Sequence, residues 1–121
     1  SELVETDQGC VPIRKIDKSI HTIRNQPIRQ VSCTRCADNQ MVRIQKNAFG
    51  KATPNKDTLV TLKHKISYRG MMKHAAHFVG RKGISLVNSH NQVVFNVMLP
   101  THTYMRVNNM LTETLHPDCA L

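Results

Sequence analysis

Val79-Gly80-Arg81-Lys82-Gly83-Ile84-Ser85-Leu86-Val87-Asn88-Ser89-His90 is the stretch on which the fold class of this 121-residue chain turns. Two glycines bracket a basic dipeptide, the composition of a tight turn. On either side lie short apolar runs of strand length, Ala75 to Val79 and Ile84 to Asn88, so the segment reads as a hairpin whose second strand ends on His90.

Outward from this hairpin the chain keeps to period two. Met41-Val42-Arg43-Ile44-Gln45 alternates, and Thr58 to His64 suits a second strand after the polar loop Thr53-Pro54-Asn55-Lys56-Asp57. Tyr68-Arg69-Gly70 interrupts the pattern. Gln92 to Leu99 puts Val93, Phe95, Val97 and Leu99 on one face, and Pro100 ends it. Tyr104 to Val107 is a further short strand, and Cys119-Ala120-Leu121 opens a last one. Short strands joined by turns predict a mainly β domain, an antiparallel barrel or sandwich, over residues 40–121.

The N-terminal third reads differently. Residues 1–11 are expected to be a flexible leader. Ile13, Ile16, Ile20 and Ile23 then recur at spacings of three, four and three behind Pro12, which predicts an amphipathic helix over 12–26 that stops at Pro27 and docks on the body. Residues 27–39 form a connector carrying Cys33 and Cys36.

Composition bounds the function. No apolar run is long enough for a membrane span, and the acidic, polar start Ser1-Glu2-Leu3-Val4-Glu5-Thr6-Asp7 is no secretory signal. The start lacks a methionine, which suggests processing or excision from a longer chain. Four cysteines without a secretory signal are expected to be reduced thiols. The net charge is +9, and between Asn39 and Thr112 eleven Lys or Arg face a single acid, Asp57. Such a field attracts polyanions, so Arg43, Lys46, Lys63, Lys65, Arg69 and Lys73 are candidate RNA contacts.

From Met72 to Asn91, the strand, Gly-Arg-Lys-Gly hairpin, second strand and terminal histidine resemble the N-terminal barrel of picornavirus-type chymotrypsin-like cysteine proteinases, the 3C-like proteinases of picorna-like viruses. The resemblance implies a six-stranded barrel of chymotrypsin type, one of two, with an N-terminal helix packed on it. It implies that His90 is the general base and that Asp118, with Glu113 as fallback, is the orienting acid. It also implies a nucleophile in a second barrel beyond this chain, which alone is then inactive, a polyprotein substrate and residence in the host cytoplasm. An RNA-binding face away from the active site would fit the basic charge.

Two other readings stand beside this one. Cys33-Thr34-Arg35-Cys36 is a Cys-x-x-Cys knuckle, and His74 and His77 are a close histidine pair. No cofactor is expected if 71–78 is a strand, because the two rings then point apart; if it is a helix, the four residues can make a Cys2His2 zinc site in a small basic nucleic-acid-binding module. The third reading is an interaction protein whose helical arm docks on a partner.

Overall fold

A computed structural model describes residues 2–36 and 39–114. Thirteen strands carry the described chain: β1 (Leu3–Thr6), β2 (Gly9–Pro12), β3 (Thr22–Ile23), β4 (Gln26–Pro27), β5 (Gln30–Arg35), β6 (Gln40–Ile44), β7 (Thr58–Val60), β8 (Lys65–Tyr68), β9 (Met71–His74), β10 (Ile84–Asn88), β11 (Val93–Met98), β12 (Tyr104–Val107) and β13 (Met110–Glu113). Two single turns of 3-10 helix, Ile13–Lys15 and Ala75–Phe78, are the only helical pieces among them. The mainly β, antiparallel expectation is met.

The expected closed barrel is not. The strands fall into a six-stranded sheet in the order β2-β1-β12-β13-β8-β9, a three-stranded sheet β10-β6-β7, and two ribbons, β11-β5 and β3-β4. The six-stranded sheet has free edges at β2 and β9 instead of closing on itself. The chain changes partners at the Ser89–Gln92 turn: β10 pairs with β6, and β11 pairs with β5.

Tight left-handed turns explain much of this topology. In three hairpins, Arg24-Asn25, Arg69-Gly70 and Asn108-Asn109 occupy two-residue loops with positive φ at both positions. Turns of that hand match the right-handed twist of the flanking strands. Arg69-Gly70, which interrupts the sequence pattern, is therefore the turn between β8 and β9.

The predicted helix over 12–26 does not form. Its isoleucines are β-branched and weak helix formers. Asp17 also accepts hydrogen bonds from both the backbone N–H (2.9 Å) and the hydroxyl (2.6 Å) of Ser19, a local turn that competes with a helical ladder. Arg24 and Asn25 then adopt left-handed backbone angles, which end any right-handed helix. Ile13 and Ile23 are buried, whereas Ile20 is 63% exposed, so the stripe does not act as one face. The β1–β2 hairpin spans residues 3–12, covering most of the expected leader (1–11) and the first residue of the expected helix.

Two apolar clusters hold the sheets together. One gathers Val4, Ile13, Ile23, Ile28, Val97, Leu99, Met105 and Val107. The other gathers Val42, Ile44, Ile66, Ala75, Phe78, Ile84 and Met110, with Phe49 and Tyr68 against Phe78 at ring-centroid distances of 5.1 and 6.2 Å. Fully burying each of these side chains contributes about 1.5–3 kcal/mol, so the clusters supply most of the driving force. The loop Asn108 joins them to the N terminus. It is 1% exposed, donates its N–H to the Leu3 carbonyl (2.8 Å) and accepts the Leu3 N–H on Oδ1 (2.9 Å).

Candidate active site

The strand predicted over Thr58–His64 stops at Val60. Thr61 to His64 instead makes a turn in which the His64 N–H donates to the Thr61 carbonyl (3.2 Å), and β8 begins at Lys65. The far side of this turn is fixed by the Ala75 N–H, which donates to the His64 carbonyl (2.7 Å).

The turn delivers His64 to a cavity of about 70 Å3 between the two apolar clusters. Ile13, Met105 and Val107 contribute walls from one cluster, and Met110 from the other. Glu2, Thr61, His64, Gln92, Asn96 and Thr112 are its polar lining residues. The volume admits a few waters or one reacting group, and no large cofactor. A shallower groove of about 270 Å3 leads away from it, sharing Glu2, Ile13, Leu59 and Phe95 and reaching Arg14, Lys56 and Asp57. Glu2 thus sits where cavity and groove meet, held by the Ile13 N–H on its carbonyl (2.9 Å).

The electrostatics single out His64. Burial pushes its pKa below the ordinary histidine value, against a smaller opposing pull from the Glu113 carboxylate. The ring is therefore held neutral near pH 7, the form that accepts a proton. Thr112 is among the residues lining the cavity, and its hydroxyl is buried without a hydrogen-bond partner among the described residues. A buried polar group of that kind costs stability, and such costs concentrate where function needs an open bonding position.

His90 is not among the residues lining this cavity. His90 sits on the exposed turn between β10 and β11, with a left-handed backbone (φ 49°) and its N–H on the Asn88 side chain (2.7 Å). Asp118, like Cys119, lies outside the described residues. The fallback acid, Glu113, is close to His102 rather than His90, 3.1 Å from its Nε2. Cys33 is exposed and Cys36 buried on or beside β5, His74 bonds the Lys63 carbonyl (2.8 Å), and the His77 ring stands edge-on to Phe78. Among the described residues no group of three or more His, Cys, Asp or Glu is placed to hold a metal ion. No described cysteine lines the cavity.

The six basic candidates are dispersed. Arg43 pairs with Asp57 at 2.6 Å, and the Lys46 N–H caps the same carboxylate (2.9 Å), which lowers the Asp57 pKa. Lys63 is exposed in the Thr61–His64 turn; Lys65, Arg69 and Lys73 belong to the β8–β9 hairpin, with the Arg69 guanidinium 5.3 Å from the Tyr68 ring centroid. No helix among the described residues is long and apolar enough to cross a membrane.

Thr61 and His64 escaped the sequence reading. The available signal was a break in alternation: the run from Thr58 stops at Lys63 and resumes at Ile66, leaving a histidine between two lysines where two strands meet.

Comparison with known proteins overturns the proteinase resemblance. The model of the Hint domain, of hedgehog and intein type, matches residues 2–119, nearly the whole chain. The half-proteinase reading, its His90–Asp118 pairing and the RNA-binding role attached to it are corrected accordingly. No curated protein and no solved structure matches the chain. A β-rich fold without a closed barrel agrees with the family match, and the chain belongs to the Hint-domain family.

Proposed function

We propose that this chain is an autoprocessing domain that rearranges or cleaves a peptide bond in polypeptide presented at its N-terminal side, with His64 as the acid–base group. The Hint family is associated with self-splicing and autoprocessing. The observation that carries the reading is the convergence of Glu2, Thr61 and a neutral His64 on one small cavity. Backbone leading into β1 passes this cavity, so a scissile bond there would lie within reach of the imidazole.

The chemistry follows from the ring's charge state. A thiol or hydroxyl on the presented polypeptide attacks the neighbouring carbonyl, and neutral His64 takes the proton released by the nucleophile. The resulting imidazolium returns that proton to the amide nitrogen as the C–N bond breaks, leaving an ester or thioester. A donor to the carbonyl oxygen, as charge develops on it, would come from the same cavity, where Thr61 and Thr112 are the hydroxyl-bearing lining residues. No described cysteine lines the cavity, so this reading places the nucleophile on the presented segment.

The test is a set of fusions in which a reporter protein is joined upstream of Ser1 through short linkers holding one cysteine. Dithiothreitol should release the reporter from at least one of them. His64→Ala should slow that release at least about 100-fold while thermal unfolding shows a folded domain. Equal release rates with and without the imidazole would overturn the assignment, as would fusions that all remain intact.

A further inference from the structure

We propose that Glu113 is a positioning residue for His64, its carboxylate bridging the backbone next to His64 on one oxygen and the His102 ring on the other. The proposal rests on the reading of His64 as the acid–base group and assigns it a partner. Oε1 of Glu113 accepts the Lys65 N–H at 3.1 Å, and Oε2 lies 3.1 Å from Nε2 of His102. The carboxylate side chain is 22% exposed, so its bonds compete with little water.

The support beneath Glu113 is rigid. Glu113 lies opposite Tyr104 in the β12–β13 ladder. Beyond it, the Thr114 N–H donates to the Thr103 carbonyl (2.9 Å), and the Thr103 N–H donates to the Thr114 hydroxyl (3.0 Å). These bonds hold His102 and Glu113 side by side at the end of the hairpin. One residue earlier, Thr112 pairs with Ile66 of β8 and faces the cavity. The Glu113 side chain therefore reaches the Lys65 backbone from a fixed base and fixes the exit of the Thr61–His64 turn.

Charge makes this contact more than a strut. A carboxylate near His64 favours the imidazolium that forms during catalysis and opposes the effect of burial. The other ionisable groups facing His64 are Lys63 and Lys65 on its own segment, Glu2 across the cavity and His74 of β9, whose ring bonds the Lys63 carbonyl. His74 thus bonds the peptide before His64, and Glu113 the peptide after it.

The test uses the chain itself and needs no cleavage. Imidazole titrations followed by NMR are compared for wild type, Glu113→Gln, Glu113→Ala and His102→Gln, each first shown to be folded. Glu113→Gln keeps an oxygen for the Lys65 N–H but loses the charge, so the His64 midpoint should move to lower pH while Lys65 amide exchange stays slow. Glu113→Ala should lower the midpoint and also speed Lys65 exchange by about tenfold or more. His102→Gln, at a more exposed position, removes the ring that partners Oε2 and should shift the His64 midpoint by freeing the carboxylate to move. Identical His64 titrations in wild type, Glu113→Gln and His102→Gln would overturn the proposal, as would unchanged Lys65 exchange in Glu113→Ala. Fusions that never release a reporter would remove the autoprocessing reading alone, since these shifts are properties of the unfused chain.

Discussion

The Thr61–His64 turn and the Ser89–Gln92 turn each present a histidine where one strand ends and another begins, yet only one of them builds a site. His64 enters a cavity walled by segments from distant parts of the chain, and burial keeps its ring neutral. His90 stands in solvent on a left-handed turn closed by the Gln92 N–H on the Ser89 carbonyl (2.9 Å). A strand end supplies position; desolvation and converging walls supply chemistry. The largest expected contrast is therefore functional. In a reporter fusion that self-cleaves, His64→Ala should cost at least about 100-fold in release rate, whereas His90→Ala should leave the rate within about twofold, since exposed positions rarely contribute more. A comparable loss at His90 would erase the distinction between the two turns.

The same pairing can be sharpened through asparagine. Asn108 and Asn91 both hold left-handed turn positions, with φ of 49° and 57°. Asn108 is buried, and its Nδ2 donates to the Thr58 hydroxyl (2.8 Å) while Oδ1 accepts the Leu3 N–H. Asn108→Ala removes both side-chain bonds, one of them to the buried Thr58 hydroxyl, so it should destabilise the domain by about 2–3 kcal/mol. Asn91 offers a single backbone contact, its carbonyl accepting from the Arg35 guanidinium (3.2 Å). Asn91→Ala should cost about 1 kcal/mol, the penalty for a Cβ residue less suited to that backbone. Chemical denaturation of the two variants measures the difference, and equal midpoints would mean that Asn108 does not pin the N-terminal strand.

Legibility followed the same division between local and convergent features. Gln40–Ile44, Ile84–Asn88, Val93–Met98 and Tyr104–Val107 were readable as short β-branched and apolar runs bounded by turn residues, though only Tyr104–Val107 alternates strictly in burial. The 12–26 segment misled because three-four-three isoleucine spacing satisfies a helix, while the deciding contacts are the Asp17–Ser19 turn and the left-handed Arg24-Asn25 pair. The cavity was not legible at all. Glu2, His64, Asn96 and Thr112 are spread over the chain, and nothing local to any of them announces that they share one space. His90 drew attention because Ala75 to Asn88 reads as a hairpin, but Ala75–Phe78 is a 3-10 turn and β10 pairs with β6; local pattern is what a single sequence displays best, and here it misplaced the strand's partner.

Acid provides a smaller test of the buried ring. Because the folded-state pKa of His64 lies below its ordinary value, the unfolded chain binds this proton more readily. Stability therefore falls as pH drops below about 6.5, and the loss continues down to the folded value. Asp7, Asp17 and Asp57 also titrate below their ordinary range, so their contributions are present above about 3.9 and are lost on further acidification. A urea midpoint that declines between pH 7 and pH 5 thus reports mainly on histidine. His64→Gln should flatten that decline, and an unchanged slope would place the neutral-ring argument in error.

The smallest effect is expected at the exposed turn and carries the opposite sign. His90 adopts φ 49°, a region where a Cβ costs about 1–2 kcal/mol. Glycine removes that cost but widens the unfolded ensemble by about 0.4–1 kcal/mol. The Asn88 Oδ1 bond survives the change, because its donor is the backbone N–H of residue 90. His90→Gly should therefore stabilise the domain by roughly 0.5 kcal/mol, the difference of those two contributions. The measurement is a denaturant midpoint against wild type at pH 7. A stabilised variant means that the imidazole at position 90 holds the fold together in no respect; a clear loss of stability means that its ring makes a contact worth more than the backbone strain it carries.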